Sequence, residues 1–175
     1  MNNIKIRLLK DEENDYELLT KWYQQKEIYS MFEQRILNYE EIKTKYYPRT
    51  LKYTKVPVYM IEYNNIPVGI IQYKLVDNED KKLYNLNDDN IYEIDIFIGE
   101  ITLHHKGIGT KAIELLSNML FNDKEAKLLV MCPLKSNVKA INCYKKCGFK
   151  IKDYFDTKDT IGNVQTYALM IKERK

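Results

Sequence analysis

The sequence predicts a mixed α/β fold, an α+β arrangement of strands and amphipathic helices around a mixed sheet, and three observations carry that prediction. Ile94, Ile96 and Ile98 alternate as in a strand, after which the apolar positions shift to helical spacing at Ile108, Ala112, Leu115, Leu116, Met119 and Leu120. Two runs rich in β-branched and aromatic residues, Val56 to Tyr63 and Ile66 to Val76, flank Asn64-Asn65 as a hairpin flanks its turn. The elements follow one another as βααββ, βα, βα, ββ, without internal repeats.

Taken in order, Ile4, Ile6 and Leu8 alternate with Lys5 and Arg7, giving a first strand with one polar face. From about Asp15 to Tyr29, Leu18, Leu19, Trp22 and Tyr23 recur at helical spacing, with Asp15 as the cap. A second helix covers Tyr39 to Tyr46 and is expected to stop before Pro48, because the residue preceding a proline disfavours helical geometry. Between the helices, Met31-Phe32-Glu33-Gln34-Arg35 reads as a loop, either packed or lining a cleft. After the hairpin, Asp77 to Asn90 shows no apolar periodicity beyond Leu83, Tyr84 and Leu86 and reads as a long loop, a kind of segment that is often functional. It leads into a half-buried strand, Ile91 to Ile98. After the helix that follows Gly109, Phe121-Asn122-Asp123 reads as a break and Lys127 to Cys132 as a short buried strand ending at Pro133. Asn137 to Cys147 forms a helix closed by Gly148, and Phe149 to Phe155 and Val164 to Ile171 supply two more strands.

A chain of 175 residues with 45% hydrophobic content can bury one sizeable core, so a single domain over residues 1–175 is expected. Met1-Asn2-Asn3-Ile4-Lys5 lacks the apolar segment of a signal peptide, and no apolar run approaches the ~20 residues of a membrane span. A cytoplasmic protein without a membrane partner follows. Cys132, Cys143 and Cys147 form no C-x-x-C pair, so free thiols are expected and neither a zinc site nor any other metal. The net charge of +3 is unevenly spread: residues 77 to 100 carry −6, eight carboxylates against Lys81 and Lys82, and the remainder carries +9. Such asymmetry fits a cationic ligand on one side and an anionic one on the other, or simply a solvated acidic face. The acidic block also disfavours nucleic acid as a partner.

Gly107 and Gly109 stand where the strand ends and the helix begins. Glycine there lets a ligand approach the backbone closely, and the helix start offers unpaired N–H groups and a partial positive charge, which suit a phosphate or pyrophosphate.

Two motifs together carry a resemblance. His104-His105-Lys106-Gly107-Ile108-Gly109 resembles the Gln/Arg-x-x-Gly-x-Gly/Ala loop of the GNAT superfamily of N-acetyltransferases, with histidine in place of the usual glutamine or arginine. Asn137-Val138-Lys139-Ala140-Ile141-Asn142-Cys143-Tyr144-Lys145-Lys146-Cys147-Gly148-Phe149 resembles its Asn-x-x-Ala-x-x-x-Tyr-x-x-x-Gly-Phe motif at every defined position. The resemblance implies the GNAT fold: a mostly antiparallel central sheet with a splayed strand pair and helices on both faces. It implies acetyl-CoA as co-substrate, with its pyrophosphate on the helix start and its pantetheine along residues 95 to 99. The cofactor-binding residues so implied are Ile96, Phe97, Ile98, His104, His105, Lys106, Gly107, Ile108, Gly109, Thr110, Asn137, Ala140 and Tyr144.

A closer likeness is to aminoglycoside 6'-N-acetyltransferases. It rests on Lys21-Trp22, on Ile61-Glu62-Tyr63-Asn64-Asn65-Ile66-Pro67-Val68-Gly69, on Ile94-Asp95-Ile96-Phe97-Ile98-Gly99-Glu100 and on Lys106-Gly107-Ile108-Gly109-Thr110. One departure is Cys132-Pro133, where those enzymes often have Asp-Pro. The likeness implies a polycationic amine substrate, acetylated at its 6'-amino group with antibiotic resistance as the outcome. A carboxylate near an aliphatic amine can hold the ammonium and take its proton. Asp95 is implied in that role, and Tyr144 as the general acid to the coenzyme sulfur. Trp22, Glu33, Tyr73, Glu79, Asp80, Glu93, Asp95 and Cys132 are the candidate substrate contacts. Another cationic amine, such as a polyamine or a protein N-terminus, and a non-catalytic acetyl-CoA-binding module are the alternatives; monomer and homodimer are both open.

Overall fold

A computed structural model describes residues 3–174; Met1 and Asn2, which open the stretch read for a leader, and Lys175 lie outside the described residues. The strands are β1 (Ile4–Leu8), β2 (Val58–Tyr63), β3 (Ile66–Leu75), β4 (Ile91–Ile98), β5 (Leu128–Met131), β6 (Lys150–Lys158) and β7 (Val164–Glu173). The helices are α1 (Glu13–Tyr23), α2 (Lys26–Tyr29), α3 (Tyr39–Thr50), α4 (Asn78–Tyr84), α5 (Ile108–Asp123) and α6 (Val138–Lys146), with a 3₁₀ turn at Ile101–Leu103. The seven strands form one sheet in the order β1-β2-β3-β4-β5-β7-β6, in which β4 and β5 run parallel and the other neighbours antiparallel. On one face α5 packs against β1, β3 and β4 and meets α6; on the other, α1 and α3 pack together over Phe97, Met60 and Ile70. The expected fold is therefore the one observed. Among the described residues no helix is long and apolar enough to cross a membrane, and no group of three His, Cys, Asp or Glu side chains could hold a metal.

The sheet opens at its centre. β4 pairs with β3 from Tyr92 to Ile98, but with β5 only at Ile91, Tyr92 and Glu93. Pro133 then follows β5, and the chain there is drawn the other way: Ala168 donates its N–H to Pro133 O (2.9 Å), Leu134 bridges to Tyr167, and Lys135 N–H reaches Thr166 O (2.9 Å). The edge of β4 beyond Glu93 is thereby left without a neighbouring strand.

Several local expectations are corrected. Asp15 is not a cap: it lies inside α1, where its buried carboxylate takes a two-pronged pair from Arg7 of β1 (2.7 and 2.8 Å) and the Lys10 N–H. The helix read to Tyr29 is broken at Gln25, whose backbone is extended and whose side-chain amide donates to Gly99 O (3.1 Å). α3 runs through Pro48 to Thr50; a proline so near the end removes little of the ladder, and the start is secured by a capping box between Asn38 and Glu41. The segment read as a long loop contains α4. Asp77 caps it by accepting from the Glu79 and Asp80 N–H groups, lysines fill the last turn, and Asn85 closes it in the left-handed conformation, so the helix forms without an apolar stripe. Phe121 to Asp123 is no break but the last turn of α5. β4 is covered on both faces rather than half-buried, with Ile94 and Ile96 toward α5 and Phe97 toward α1. Asn64 and Asn65 both take positive φ, as the expected two-residue turn requires.

Where β4 ends, Gly99 donates to Val68 O (2.8 Å) and lies against the Trp22 indole, so that a Cβ would stand 2.2 Å from ring carbons. Trp22 is fully buried and its N–H is held by Glu100 (2.9 Å), which leaves it nowhere to move. Gly99→Ala is therefore expected to lower stability by about 1–3 kcal/mol through overpacking, read as a lower urea midpoint at unchanged slope. A wild-type midpoint would refute the close approach.

Candidate active site

A cavity of 1230 Å³ runs along the open edge of β4 between the α5–α6 end and the α3–α4 end of the molecule. At the first end, Gly107 (φ 77°) caps α5 in the left-handed conformation, and Lys111 is the first residue whose N–H is bonded within the helix, to Gly107 O (3.0 Å). The N–H groups of Ile108, Gly109 and Thr110 are thus the unpaired ones of a 16-residue helix and line the cavity. A Cβ on Gly109 would meet nothing closer than 3.9 Å, so bulk there would fill the cavity rather than clash within the protein. Lys111, Lys139 and Lys146 border this end. His104 does more than border it: its Nε2 lies 2.8 Å from Ile98 O, tying the loop to the last residue of β4. Asn137 caps α6 by accepting from the Ala140 N–H (3.1 Å).

At the other end carboxylates dominate. The β3–β4 register sets Gln72 opposite Asp95, and Gln72 Nε2 donates to Asp95 Oδ2 (3.1 Å) while its Oε1 accepts from Arg49 Nη1 (2.7 Å). Arginine has only donors, so the amide must turn its oxygen to Arg49 and its NH₂ to Asp95. That orientation holds Asp95 as an acceptor. Beside it, Glu33 pairs with Lys45, whose ammonium lies over the Tyr23 ring (5.6 Å); burial pulls Lys45 below the ordinary lysine range against that pairing.

Two residues back on β4, Glu93 accepts from Tyr84 O–H (3.2 Å) and lies 3.3 Å from Lys74, which also bridges to Asp80 (2.7 Å). Burial pushes Glu93 up to about 7, the charge of Asp95 adds to this, and Lys74 opposes it. Cys132, after β5, has its thiol pushed up by burial and then by Glu93. Tyr144 of α6 is buried near the same charges; burial first and Asp95 second push its phenol well above the ordinary range, so it keeps its proton at neutral pH.

Most of the residues singled out in the sequence line this one cavity: Glu33, Asp80, Glu93, Asp95, Cys132, Tyr144, the Ile96 to Ile98 strand, His104, His105, Gly107 to Thr110, Asn137 and Ala140. Four do not. Trp22 is buried edge-on against Phe97 and holds Glu100. Tyr73 points to the opposite face of the sheet from Gln72 and stacks on Tyr59. Glu79 is exposed in the first turn of α4, and Lys106 is exposed outside the lining. The acidic block is accordingly divided: Asp80, Glu93 and Asp95 face the cavity, Asp77 caps α4, Glu100 pairs with Lys21, and Asp88 and Asp89 are exposed. Arg49, Gln72 and Lys45 went unnoticed in the sequence, and strand register and the packing of α3 reveal them; Tyr84, named there only for its apolar character, reaches Glu93 because α4 forms.

Glu93 carries a pH signature. A carboxyl whose folded value is raised favours the native state when protonated, so its contribution is complete below the ordinary value of 4.5 and is lost as pH rises through about 7. Compared with Glu93→Gln, the wild type should lose melting temperature between about pH 5 and about pH 8; parallel melting-temperature curves for the two proteins would contradict this.

A protein-family model described as an acetyltransferase (GNAT) domain matches residues 11–157. The aminoglycoside N(6')-acetyltransferase type 1 of Serratia marcescens is 28% identical over 179 residues, covering 99% of this chain and 88% of its own. The crystal structure of aminoglycoside acetyltransferase AAC(6')-Ib with coenzyme A and kanamycin superposes with a TM-score of 0.80 at 24% identity, over 98% of this chain and 95% of that one. The spermidine N-acetyltransferase of Vibrio cholerae, solved with coenzyme A and spermine, gives 0.78 at 18% identity over 97% and 95%. These two likenesses are of fold. With the family model spanning most of the sequence, and the splayed sheet and glycine-led helix in place, the chain belongs to the GNAT acetyltransferase family.

Proposed function

We propose that the chain, acting as one domain over residues 1–175 in the cytoplasm, transfers the acetyl group of acetyl-CoA to the 6'-amino group of an aminoglycoside. The observation that carries this reading is the polarity of a single cavity, with free helix N–H groups and lysines at one end and Asp80, Glu93 and Asp95 at the other. The first end suits a pyrophosphate and the second a polycation. The near full-length similarity to an aminoglycoside N(6')-acetyltransferase supports the choice of amine.

In this reading acetyl-CoA lays its phosphates on Ile108, Gly109 and Thr110, and its amide-bearing arm pairs with the open edge of β4, as a peptide adds to a sheet edge. Asp95, oriented by Gln72, holds the substrate ammonium and takes its proton, freeing the lone pair. The amine attacks the thioester carbonyl, and a backbone N–H of the Asp95–Gly99 segment stabilises the oxyanion. The C–S bond then breaks, the Tyr144 hydroxyl gives its proton to the departing thiolate, and the second proton shed by the acylated nitrogen returns to the tyrosine through solvent. A linear polyamine is the second reading, favoured by the row of three carboxylates along one wall.

Release of coenzyme thiol across a panel of amines tests the proposal. Aminoglycosides bearing a 6'-amine should be turned over, and congeners with a hydroxyl at that position should not. Faster turnover of spermidine would transfer the assignment to polyamines, and no thiol release from any amine would leave only a binding module. Asp95→Asn keeps the shape but removes charge and base, and Tyr144→Phe keeps the ring but removes the donor. Each is expected to lower kcat by about 10²–10⁴-fold while Asp88→Asn, at an exposed position, leaves it unchanged. Equal small effects at Asp95 and Asp88 would remove Asp95 from the chemistry.

A further inference from the structure

Two thiols on α6 play no part in the chemistry above. Cys143 lines the cavity at its phosphate-binding end, with Sγ 3.6 Å from Thr110 Oγ1 in the first turn of α5. Cys147, one turn on at the C-cap of α6, is buried with its Sγ 3.9 Å from Thr110 O. The two cysteines are four apart and share a face of the helix, so both sulfurs gather around one residue. Four residues of helix rise about 6 Å, within the roughly 4.4–6.8 Å that separates the Cα atoms of disulfide partners. The helix also ends here, with Gly148 at φ 89°.

The pair is chemically unequal. Hydrogen bonding from the Cys147 thiol, helped by Thr110 and the charge of Lys146, holds Cys143 below the ordinary thiol range despite its burial. Cys147, as the donor, is pushed the other way. Cys132 is also pushed up, by burial and by Glu93. Thiolate character decides which sulfur reacts.

We propose that Cys143 and Cys147 form a peroxide-oxidisable dithiol in the coenzyme end of the cavity. The Cys143 thiolate attacks hydrogen peroxide, the O–O bond breaks, and Cys143 becomes a sulfenic acid as hydroxide leaves. The Cys147 sulfur then displaces that oxygen, giving the disulfide and water. Overall, two thiols lose two electrons and two protons, and one peroxide becomes two waters. A disulfide takes both sulfurs away from Thr110, the residue whose N–H faces the phosphate subsite. A coenzyme seated there covers Cys143. This last statement rests on the proposed function; the oxidation itself does not.

The test is mass spectrometry of the whole chain after peroxide treatment, with and without saturating acetyl-CoA, a thioester with no free thiol to consume oxidant. Trypsin cuts after Lys139, Lys145, Lys146 and Lys150, so the disulfide must join peptides 140–145 and 147–150. The expected result is that linked pair, with a loss of two hydrogen masses, formed several-fold more slowly under acetyl-CoA. Cys147→Ser should instead leave a Cys143 sulfenic acid that dimedone captures. Both thiols remaining open to iodoacetamide after peroxide, or Cys132 oxidising first, would overturn the proposal. Disulfide formation at the same rate with acetyl-CoA present would overturn the coverage of Cys143 alone, and a thermal shift on adding acetyl-CoA would then show whether coenzyme binds elsewhere. A circular dichroism spectrum matching the wild type is required of the variant, and dimedone labelling at Cys132 instead of Cys143 would count against the pair.

Discussion

Everything at the centre of this molecule depends on how soon β4 and β5 part company. Parallel strands share a ladder only while both keep their direction, and here the ladder lasts three residue pairs before Pro133, Ala168 and Tyr167 draw the β5 side away. Unpaired backbone groups in a sheet interior are costly unless something else satisfies them. Part of the demand is met within the protein, since His104 reaches Ile98 O. The rest is available to a ligand that can present amides in line. The same parting creates the cavity and brings α5 and α6 to face each other across it.

The second organising feature is electrostatic. An anion site made of backbone N–H groups cannot titrate and needs no side-chain ordering, whereas the carboxylate end must hold negative charge in a partly dry wall. The structure manages the carboxylates individually. Asp95 is restrained by an amide whose orientation is dictated by Arg49, itself stacked on the Tyr46 ring at 5.1 Å. Glu93 is buried deeper, beside a tyrosine hydroxyl and a lysine, and holds its proton to higher pH. Glu93, held toward its protonated form by burial and by the neighbouring carboxylate, opposes the charge of that neighbour at less than full strength.

Much of this was legible in the sequence because the signals were local. The glycines before α5, the asparagine cap of α6 and the isoleucine alternation of β4 each report their own surroundings, and the two motifs that include the glycines and the asparagine carried the family. The carboxylate end was only partly legible. Gln72 and Arg49 become neighbours of Asp95 through strand register and the tilt of α3, and neither leaves a mark in local pattern. Trp22 and Tyr73 are aromatic residues of the right regions that turn out to pack, the first under Gly99 and the second on Tyr59. α4 escaped notice because capping and charge placement make it, while hydrophobic periodicity, the strongest single-sequence signal, is absent there. Pro48 misled for the opposite reason: a strong local rule yields when the residue falls in the final turn of a helix that α1 packs against.

On the proposed function, Lys74 sets the terms on which a polycationic substrate enters. In the structure its ammonium already bridges Asp80 and Glu93, so the row of carboxylates is not empty negative charge but a site holding an internal cation. A ligand with a single amine gains at Asp95 alone and finds the rest of the wall neutralised. One with several ammonium groups can compete for Asp80 and Glu93 as well, and each amine that does so also helps Glu93 to ionise. Lys74, half-exposed on its strand, can swing toward solvent at modest cost, since long amphipathic side chains keep their stem packed while the head moves. Under the proposed function, the arrangement favours ligands by number of charges more than by charge as such, which discriminates against singly charged amines.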